Sequence, residues 1–279
     1  MATSKIPVAT ALARPRYNTG DEALAAIGGG NWQKYLEYWF KAELPRSYLC
    51  FDTETTGFSR QNDLPIDFGW TLVVDGAVRN RGGFILDWTS MPDIVQLDWL
   101  EDKMDRLSWI MAKKGKNWDY SVERLRDEGR DPRWVIDFIW KLFNECRNRG
   151  FYFVGHNALA FDSEMVANVI REFTGNEWQF QGDELVDTGC LEKITRCYSA
   201  YLSPTQWLEP KPNEKLCAFM TRASRSVKQG VKWNIEACVE RYQLCEKFGL
   251  CENDLHGAEA DSFVCHLMIE AHRKGEIIL

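Results

Sequence analysis

The sequence has 279 residues, of which 45% are apolar and 27% charged, and this fits one large globular domain with a sizeable core. The formal net charge of −7 argues against a protein that coats nucleic acid through a broad basic face. No apolar run approaches the roughly 20 residues that a membrane span needs, so we expect no membrane association.

Nine cysteines without a CxxC pair or zinc-ligand spacing indicate reduced, mostly buried thiols. Reduced thiols are typical of the cytoplasm, which is the compartment we expect. Residues 1–16 lack the sustained apolar segment of a secretory signal. Residues 1–30 are rich in Ala, Thr, Pro and Gly, and we expect a flexible tail with a short helix at 21–27.

A helix, a strand and a hairpin are predicted after the tail. Asn31 is expected to cap a helix with one apolar face. Residues 48–51 form a short apolar run that predicts a central strand ending at Asp52. Segments 66–74 and 78–86 flank an Asp-Gly pair, which predicts a β-hairpin.

The rest of the chain alternates helical and strand patterns. Residues 88–131 are charged, helical in pattern and rich in tryptophan, and they predict a helical insertion or subdomain. We expect it to pack as a small helical core, and stacking of its tryptophans on bases is the alternative. The later expected elements are a helix at 133–147, a strand at 151–154, a helix at 163–173, a strand at 184–187, a basic insertion at 193–232, and helices at 233–248 and 258–274. This order favours an α/β fold, a mixed sheet with helices on both faces.

The strongest chemical signal is the pair Asp52 and Glu54 at the end of the predicted central strand. Residues i and i+2 of an extended strand point to the same side. Two carboxylates there repel each other unless a cation lies between them, and hard divalent cations suit them. The alternative is an acidic strand end that faces solvent. The apolar run before the pair and the Thr-Thr-Gly after it favour the cation site.

Other candidate residues lie at two more strand–helix boundaries. Asp162 follows the strand at 151–154 and opens the next helix, where an Asp can also be a simple cap. His256 precedes the last helix and Asp261 lies in its first turns, so an imidazole and a carboxylate can reach one metal site. The three segments together supply four carboxylates and one histidine, the set that two-metal phosphoryl chemistry needs.

These segments resemble the motifs of the DnaQ-like, or DEDDh, 3′→5′ exonucleases of the RNase H-like superfamily. Asp52 and Glu54 match the first motif, Asp162 the second and Asp261 the third acid. His256, five residues before Asp261, matches the histidine subclass. The second motif has one residue more than the common pattern between its Asn and its Phe-Asp pair. The resemblance implies an RNase H-like mixed sheet flanked by helices, with 31–279 as the exonuclease domain.

The resemblance also implies a role for each matched residue. The four acids would hold two Mg²⁺ or Mn²⁺ ions, with Glu54 touching both, and His256 would activate the water that attacks the terminal phosphodiester. Phe58 would stack on the last bases as an apolar wedge, unless it is an ordinary core residue. His156 and Asn157 would orient the substrate or only shape the turn. The full set of expected substrate-binding residues is Thr53, Thr55, Gly57, Phe58, His156, Asn157 and Phe161.

The expected function is removal of nucleoside 5′-monophosphates from the 3′ end of single-stranded DNA or RNA. The basic insertion bears Tyr198, Tyr201 and Trp207, so it either guides the strand or forms an ordinary solvated face. A homodimer and a polymerase or replication partner are kept as hypotheses. Two alternatives stay open: a nuclease specialised for short oligonucleotides or signalling nucleotides, and a non-catalytic module that binds nucleic-acid ends.

Overall fold

The computed structural model describes residues 44–116, 118–181, 184–193, 218, 222, 232–250 and 255–274. Several sequence predictions therefore lie outside the described residues: the tail at 1–30, the helix that starts at Asn31, and nearly all of the basic insertion at 193–232. None of the described helices is both long enough and apolar enough to cross a membrane.

A mixed five-stranded sheet, flanked by helices, organises the domain. Its strands are β1 (Tyr48–Thr55), β2 (Pro65–Val74), β3 (Ala77–Ile85), β4 (Tyr152–Gly155) and β5 (Leu185–Asp187). Their spatial order is β3-β2-β1-β4-β5. β1 pairs antiparallel with β2 and parallel with β4, so the predicted first strand is the central one. The predicted α/β fold class is confirmed.

Seven α-helices have both ends within the described residues. They are α1 (Leu97–Lys113), α2 (Val122–Glu128), α3 (Pro132–Asn148), α4 (Asp162–Thr174), α5 (Ile235–Tyr242), α6 (Leu244–Phe248) and α7 (Ala258–Lys274). A short 3₁₀ turn at Trp88–Ser90 precedes α1. The single helix predicted at 233–248 is wrong. Gln243 adopts a left-handed backbone with φ of 53°, which ends α5 and starts α6.

Local sequence explains where α3 begins. Asp131 lies at its N-cap, and its Oδ1 accepts hydrogen bonds from the backbone N–H groups of Arg133 and Trp134 at 2.8 and 3.2 Å. Pro132 occupies the first helical position, where its missing N–H has no helical partner to lose. The helix then turns its apolar face, including Ile139, onto the sheet.

The side chains of β1 alternate between the main core and the layer formed by α7, on the other face of the sheet. Leu49 and Phe51 enter the main core, where the ring of Phe51 packs on that of Phe143 with centroids 5.2 Å apart. Asp52 and Glu54 project to the other face, toward α7. The alternation therefore places the acid pair on the face opposite the cluster that contains Phe51.

The Trp-rich segment at 88–131 shares this main core. Its side chains Trp88, Leu100 and Leu125 are fully buried in the same apolar cluster as Phe51. The indole N–H of Trp88 donates to the carbonyl of Pro65, at 2.5 Å. The segment therefore packs on the sheet next to the hairpin and does not form a core of its own.

Candidate active site

The end of β1 places its two acids on one face of the sheet. Asp52 is buried and Glu54 is partly buried. Thr53, between them, points to the opposite face, and its hydroxyl donates to Oδ1 of Asp162 at 2.5 Å. The predicted same-side placement of Asp52 and Glu54 follows from this alternation.

Asp162 is the first residue of α4 and is buried. A tight turn leads into it from β4: the N–H groups of Ala160 and Phe161 both donate to the carbonyl of Asn157, at 3.0 and 3.2 Å. Asn157 itself has a left-handed backbone with φ of 62°. The hydrogen bond from Thr53 holds the carboxylate of Asp162 against β1.

His256 and Asp261 reach the site from the start of α7. Asp261 is buried, and its carboxylate accepts a hydrogen bond from the backbone N–H of His256. His256 has a left-handed φ of 74°, a strained conformation for a residue with a β-carbon. Backbone strain of this kind persists only where the surrounding structure imposes it. The backbone at His256 is therefore held in the conformation that turns the imidazole toward Asp261.

The structure brings the predicted site residues together. One ligand atom from each of Glu54, His256 and Asp261 lies within 4.8 Å of the other two. Asp52 and Asp162 belong to the same cluster, since the pKa of Asp52 is raised by burial and then by the charges of Asp162 and Asp261.

Burial and mutual repulsion make the ionised form of these carboxylates unfavourable unless a positive charge lies between them. Burial raises the pKa of Glu54 well above its usual range, and Asp261 raises it further. Burial also raises the pKa of Asp162 to about 6 and that of Asp261 to about 7. Oδ1 of Asp261 is buried without a hydrogen-bond partner among the described residues. Carboxylate oxygens in this state are suitable ligands for Mg²⁺ or Mn²⁺, and the donor set therefore fits such cations.

The imidazole of His256 is suited to accept a proton. Burial lowers its pKa below the usual value, and the negative charge of Glu236 opposes this change only in part. A neutral imidazole predominates at neutral pH, so one ring nitrogen carries a lone pair for a proton.

Asp67 and Tyr120 support the site and were not found by sequence reasoning. Oδ2 of Asp67, on β2, accepts the hydroxyl of Tyr120 at 2.5 Å and the backbone N–H of Ala258 at 3.1 Å. Asp67 thereby fixes the first residue of α7, three residues before Asp261. An acid within a strand and a tyrosine in a distant loop give no local sequence signal for this contact.

Asp187 fixes the turn before Asp162 and was recognised in the sequence only as part of a strand. Its carboxylate accepts hydrogen bonds from the backbone N–H groups of Asn157, Leu159 and Cys190, at 3.1, 3.0 and 3.0 Å. The end of β5 therefore holds the second motif in place. The parallel pairing of β4 with β5 produces this contact, and neither segment shows it alone.

The loop after β1 presents Phe58 to solvent. The side chain of Phe58 is 74% exposed, so it is not an ordinary core residue. The hydroxyl of Thr55 donates to the carbonyl of Gly57 at 2.6 Å, and the carboxylate of Asp63 accepts a hydrogen bond from the N–H of Ser59 at 2.8 Å. Hydrogen bonds within the loop therefore stabilise its conformation. A β-carbon at Gly57 would lie 2.5 Å from Asp63 Oδ2, which explains the glycine.

The other predicted substrate-binding residues differ in accessibility. His156 is buried, with Nδ1 2.9 Å from the hydroxyl of Thr188 and its ring stacked on that of Trp233. These contacts support the turn-shaping alternative for His156, and a substrate contact stays a prediction. Asn157 and Phe161 are partly buried in the turn that precedes α4.

Three comparisons place this fold among known proteins. No family model and no curated protein matches the sequence. Among solved structures, Escherichia coli exonuclease I in complex with a dT13 oligonucleotide matches with a TM-score of 0.50 and 17% identity, over 83% of this chain and 42% of that one. Its complex with a dA16 oligonucleotide matches with a TM-score of 0.50 and 17% identity, over 84% of this chain and 42% of that one. The zinc-bound form of its single-stranded DNA complex matches with a TM-score of 0.50 and 16% identity, over 83% of this chain and 41% of that one.

These matches define the class of fold. The mixed five-stranded sheet with flanking helices is the RNase H-like α/β architecture that exonuclease I also has. The chain spans less than half the length of the exonuclease I chains that it matches. At this level of identity the likeness shows the fold alone.

Proposed function

We propose that this chain is a metal-dependent 3′→5′ exonuclease that acts on single-stranded nucleic acid. The observation that carries the proposal is the convergence of four carboxylates and one imidazole, from β1, α4 and the start of α7, around the end of β1. Support comes from the exonuclease I structures with the same fold, which contain single-stranded oligonucleotides and, in one form, a zinc ion.

Asp52, Glu54, Asp162 and Asp261 would hold two Mg²⁺ or Mn²⁺ ions. Such ions supply Lewis acidity and neutralise charge on the phosphate oxygens during phosphodiester hydrolysis. Because the pKa values of Glu54 and Asp261 are raised, binding of cations to these carboxylates would displace protons from them. The hydrogen bond from Thr53 to Asp162 would hold the second-motif acid at the end of β1.

His256 would act as the general base. It takes a proton from water, the water oxygen attacks the terminal phosphorus, and the bond from phosphorus to the 3′ oxygen breaks. The 3′ oxygen leaves as the hydroxyl of the shortened strand after it gains a proton from solvent, and a nucleoside 5′-monophosphate is released. The lowered pKa of His256 keeps the imidazole neutral and ready for this step.

The substrate end would bind along the loop after β1. The backbone at Thr53 and Thr55 would meet the terminal nucleotide, and the exposed ring of Phe58 would stack on the last bases. Stacking of this kind tolerates any base, which suits an enzyme that degrades strands of every sequence. A homodimer or a polymerase partner remains a separate prediction.

The test is a time course on 5′-labelled single-stranded DNA and RNA, with Mg²⁺ or Mn²⁺ compared with EDTA. Wild type, Asp52→Asn and Asp75→Asn run side by side. Asp75 is the matched control because it is exposed in the turn between β2 and β3, at the far end of the sheet from Asp52. A ladder that shortens one nucleotide at a time in wild type and in the Asp75 variant, but not in the Asp52 variant, is expected.

Substrate length separates the proposal from its alternatives. A dinucleotide, a pentanucleotide and a long strand are offered at equal concentration. Efficient cleavage of the long strand supports the exonuclease, whereas cleavage of the dinucleotide alone would support an enzyme of short oligonucleotides or signalling nucleotides. A label that stays intact under every metal condition while the strand still binds would indicate a non-catalytic end-binding module.

A further inference from the structure

Glu236 lies beside His256 although the two residues are not neighbours in the chain. Nε2 of His256 is 3.5 Å from Oε1 of Glu236. Within the described part of the chain, no other carboxylate forms an ion pair with this imidazole. Glu236 does not belong to the four acids of the proposed metal site, since it comes from the first turn of α5.

Both carboxylate oxygens of Glu236 are held by other side chains. The ammonium group of Lys116 pairs with Oε1, and the side-chain amide of Asn234 donates to Oε2. Lys116 follows α1 in the Trp-rich segment, and Asn234 occupies the N-cap of α5. Because two partners fix it from different sides, Glu236 keeps one orientation toward the ring of His256.

Lys116, Glu236 and His256 also share one cavity. They line a space of about 550 Å³ together with Glu240 and Leu255. Lys116 and Glu236 are both partly buried, with about a third of each side chain exposed, so the pair is more shielded from solvent than a surface ion pair. Removal of either charge therefore changes the surroundings of the imidazole.

We propose that Glu236 is a positioning residue for His256, and that Lys116 holds Glu236 in place. The inference rests on the proposed function, in which His256 is the base. The negative charge of the Glu236 carboxylate, 3.5 Å from Nε2, favours the tautomer with its proton on Nε2. Nδ1 then carries the lone pair that takes the proton from water. The carboxylate also stabilises the imidazolium ion that forms in that step.

A double-mutant cycle on metal-dependent cleavage of single-stranded DNA tests this arrangement. In the wild-type background, Glu236→Gln is expected to lower kcat about 10–100-fold and to leave KM within about twofold, because a positioning role for His256 acts on the chemical step. Lys116→Met is expected to act in the same direction with a smaller effect. In a His256→Ala background, Glu236→Gln is expected to change kcat by less than about twofold.

Glu240→Gln is the matched control. Glu240 is exposed on the same helix, lines the same cavity and makes no ion pair with His256. Its replacement is expected to leave both kcat and KM unchanged. Thermal unfolding of each variant accompanies the kinetics, and Lys116→Met supplies the same readout if Glu236→Gln does not fold.

Two results would overturn the positioning role. Glu236→Gln with the kinetics of Glu240→Gln would show that the imidazole needs no carboxylate partner. An equal loss of kcat in the wild-type and His256→Ala backgrounds would show that Glu236 acts on the fold or on the metal site instead. Both results require an active wild-type enzyme, so they are distinct from failure of the exonuclease proposal, in which wild type itself cleaves nothing.

Discussion

Gly69 lies where helix α7 crosses β2, and a methyl group there has no room. In the register of the sheet it pairs with Asp52 on β1 and with Gly83 on β3. A β-carbon at Gly69 would lie 2.0 Å from the backbone carbon and oxygen of Ala258. Ala258 is the first residue of the helix that carries Asp261.

The magnitude of the Gly69→Ala effect follows from these distances. Ordinary van der Waals contact begins at 3.4 Å, whereas the new β-carbon would be 2.0 Å from the backbone of Ala258. The start of α7 must therefore move away from β2 by about 1.4 Å. β2 cannot move instead, because it is paired on both sides. Overpacking of this kind costs about 1–3 kcal/mol of unfolding free energy, and a displacement of about 1 Å in catalytic groups lowers the rate about 100-fold.

The assay combines thermal unfolding with metal-dependent cleavage of labelled single-stranded DNA. Gly83→Ala is the matched control, since the new β-carbon would be 3.2 Å from Cβ of Glu259, a contact that a small shift relieves. Gly69→Ala is expected to unfold several degrees lower than Gly83→Ala and to be about 100-fold slower. Equal stability and rate in the two variants would refute the view that Gly69 sets the distance between α7 and the acid pair.

Three further predictions concern charge and strain. Folding without metal raises the pKa of Asp261 to about 7, so ionisation of this group at pH 8 costs about 4 kcal/mol of unfolding free energy. Asp261→Asn should therefore unfold at a higher temperature than metal-free wild type. The same variant should gain no stability from Mn²⁺, because it lacks this ligand. His256→Gly and His256→Ala should lose activity alike, but the glycine variant should be more stable by about 1 kcal/mol, because φ at this position is 74°. Burial would raise the pKa of Glu192, but hydrogen bonds from His272 and other neighbours lower it to about 2. Glu192→Gln should therefore cost about 3 kcal/mol at pH 7, a difference that shrinks as the pH falls from 4.5 toward 2.

Each of these predictions has a measurement that decides it. A metal-induced shift in melting temperature that persists in Asp261→Asn would remove Asp261 from the cation site. Equal melting temperatures for the two His256 variants would mean that the left-handed backbone stores no strain. A stability difference between wild type and Glu192→Gln that is the same at pH 3 and pH 7, measured in denaturant titrations, would contradict the depressed pKa.

Local patterns were sufficient for most of the sheet and for the acids. The alternation of side chains along 48–54 predicts that Asp52 and Glu54 share a face, and the Asp-Gly pair after β2 predicts the hairpin. The start of α3 at Asp131 and Pro132 also follows from residues adjacent in sequence. Each of these features depends on contacts within a few residues.

Local patterns failed where a contact joins distant segments. The break at Gln243 within an otherwise helical stretch has no glycine or proline to mark it, and the predicted helix at 233–248 ran through it. The Trp-rich segment was predicted to pack on itself, whereas Trp88 and Leu100 share the core of the sheet. Periodicity shows which face of a helix is apolar, but it does not show what that face covers.

The sequence by itself predicted the fold class and the central strand, because strand periodicity and residue type carry that information over short distances, and it proposed the four acids and the histidine as site residues. Only the tertiary structure decided which polar groups support them. Asp67, Asp187 and Glu236 contact the site from other strands and helices through hydrogen bonds and ion pairs. Such contacts depend on strand register and helix placement, which the packing of the whole domain fixes, so no segment read alone reveals them.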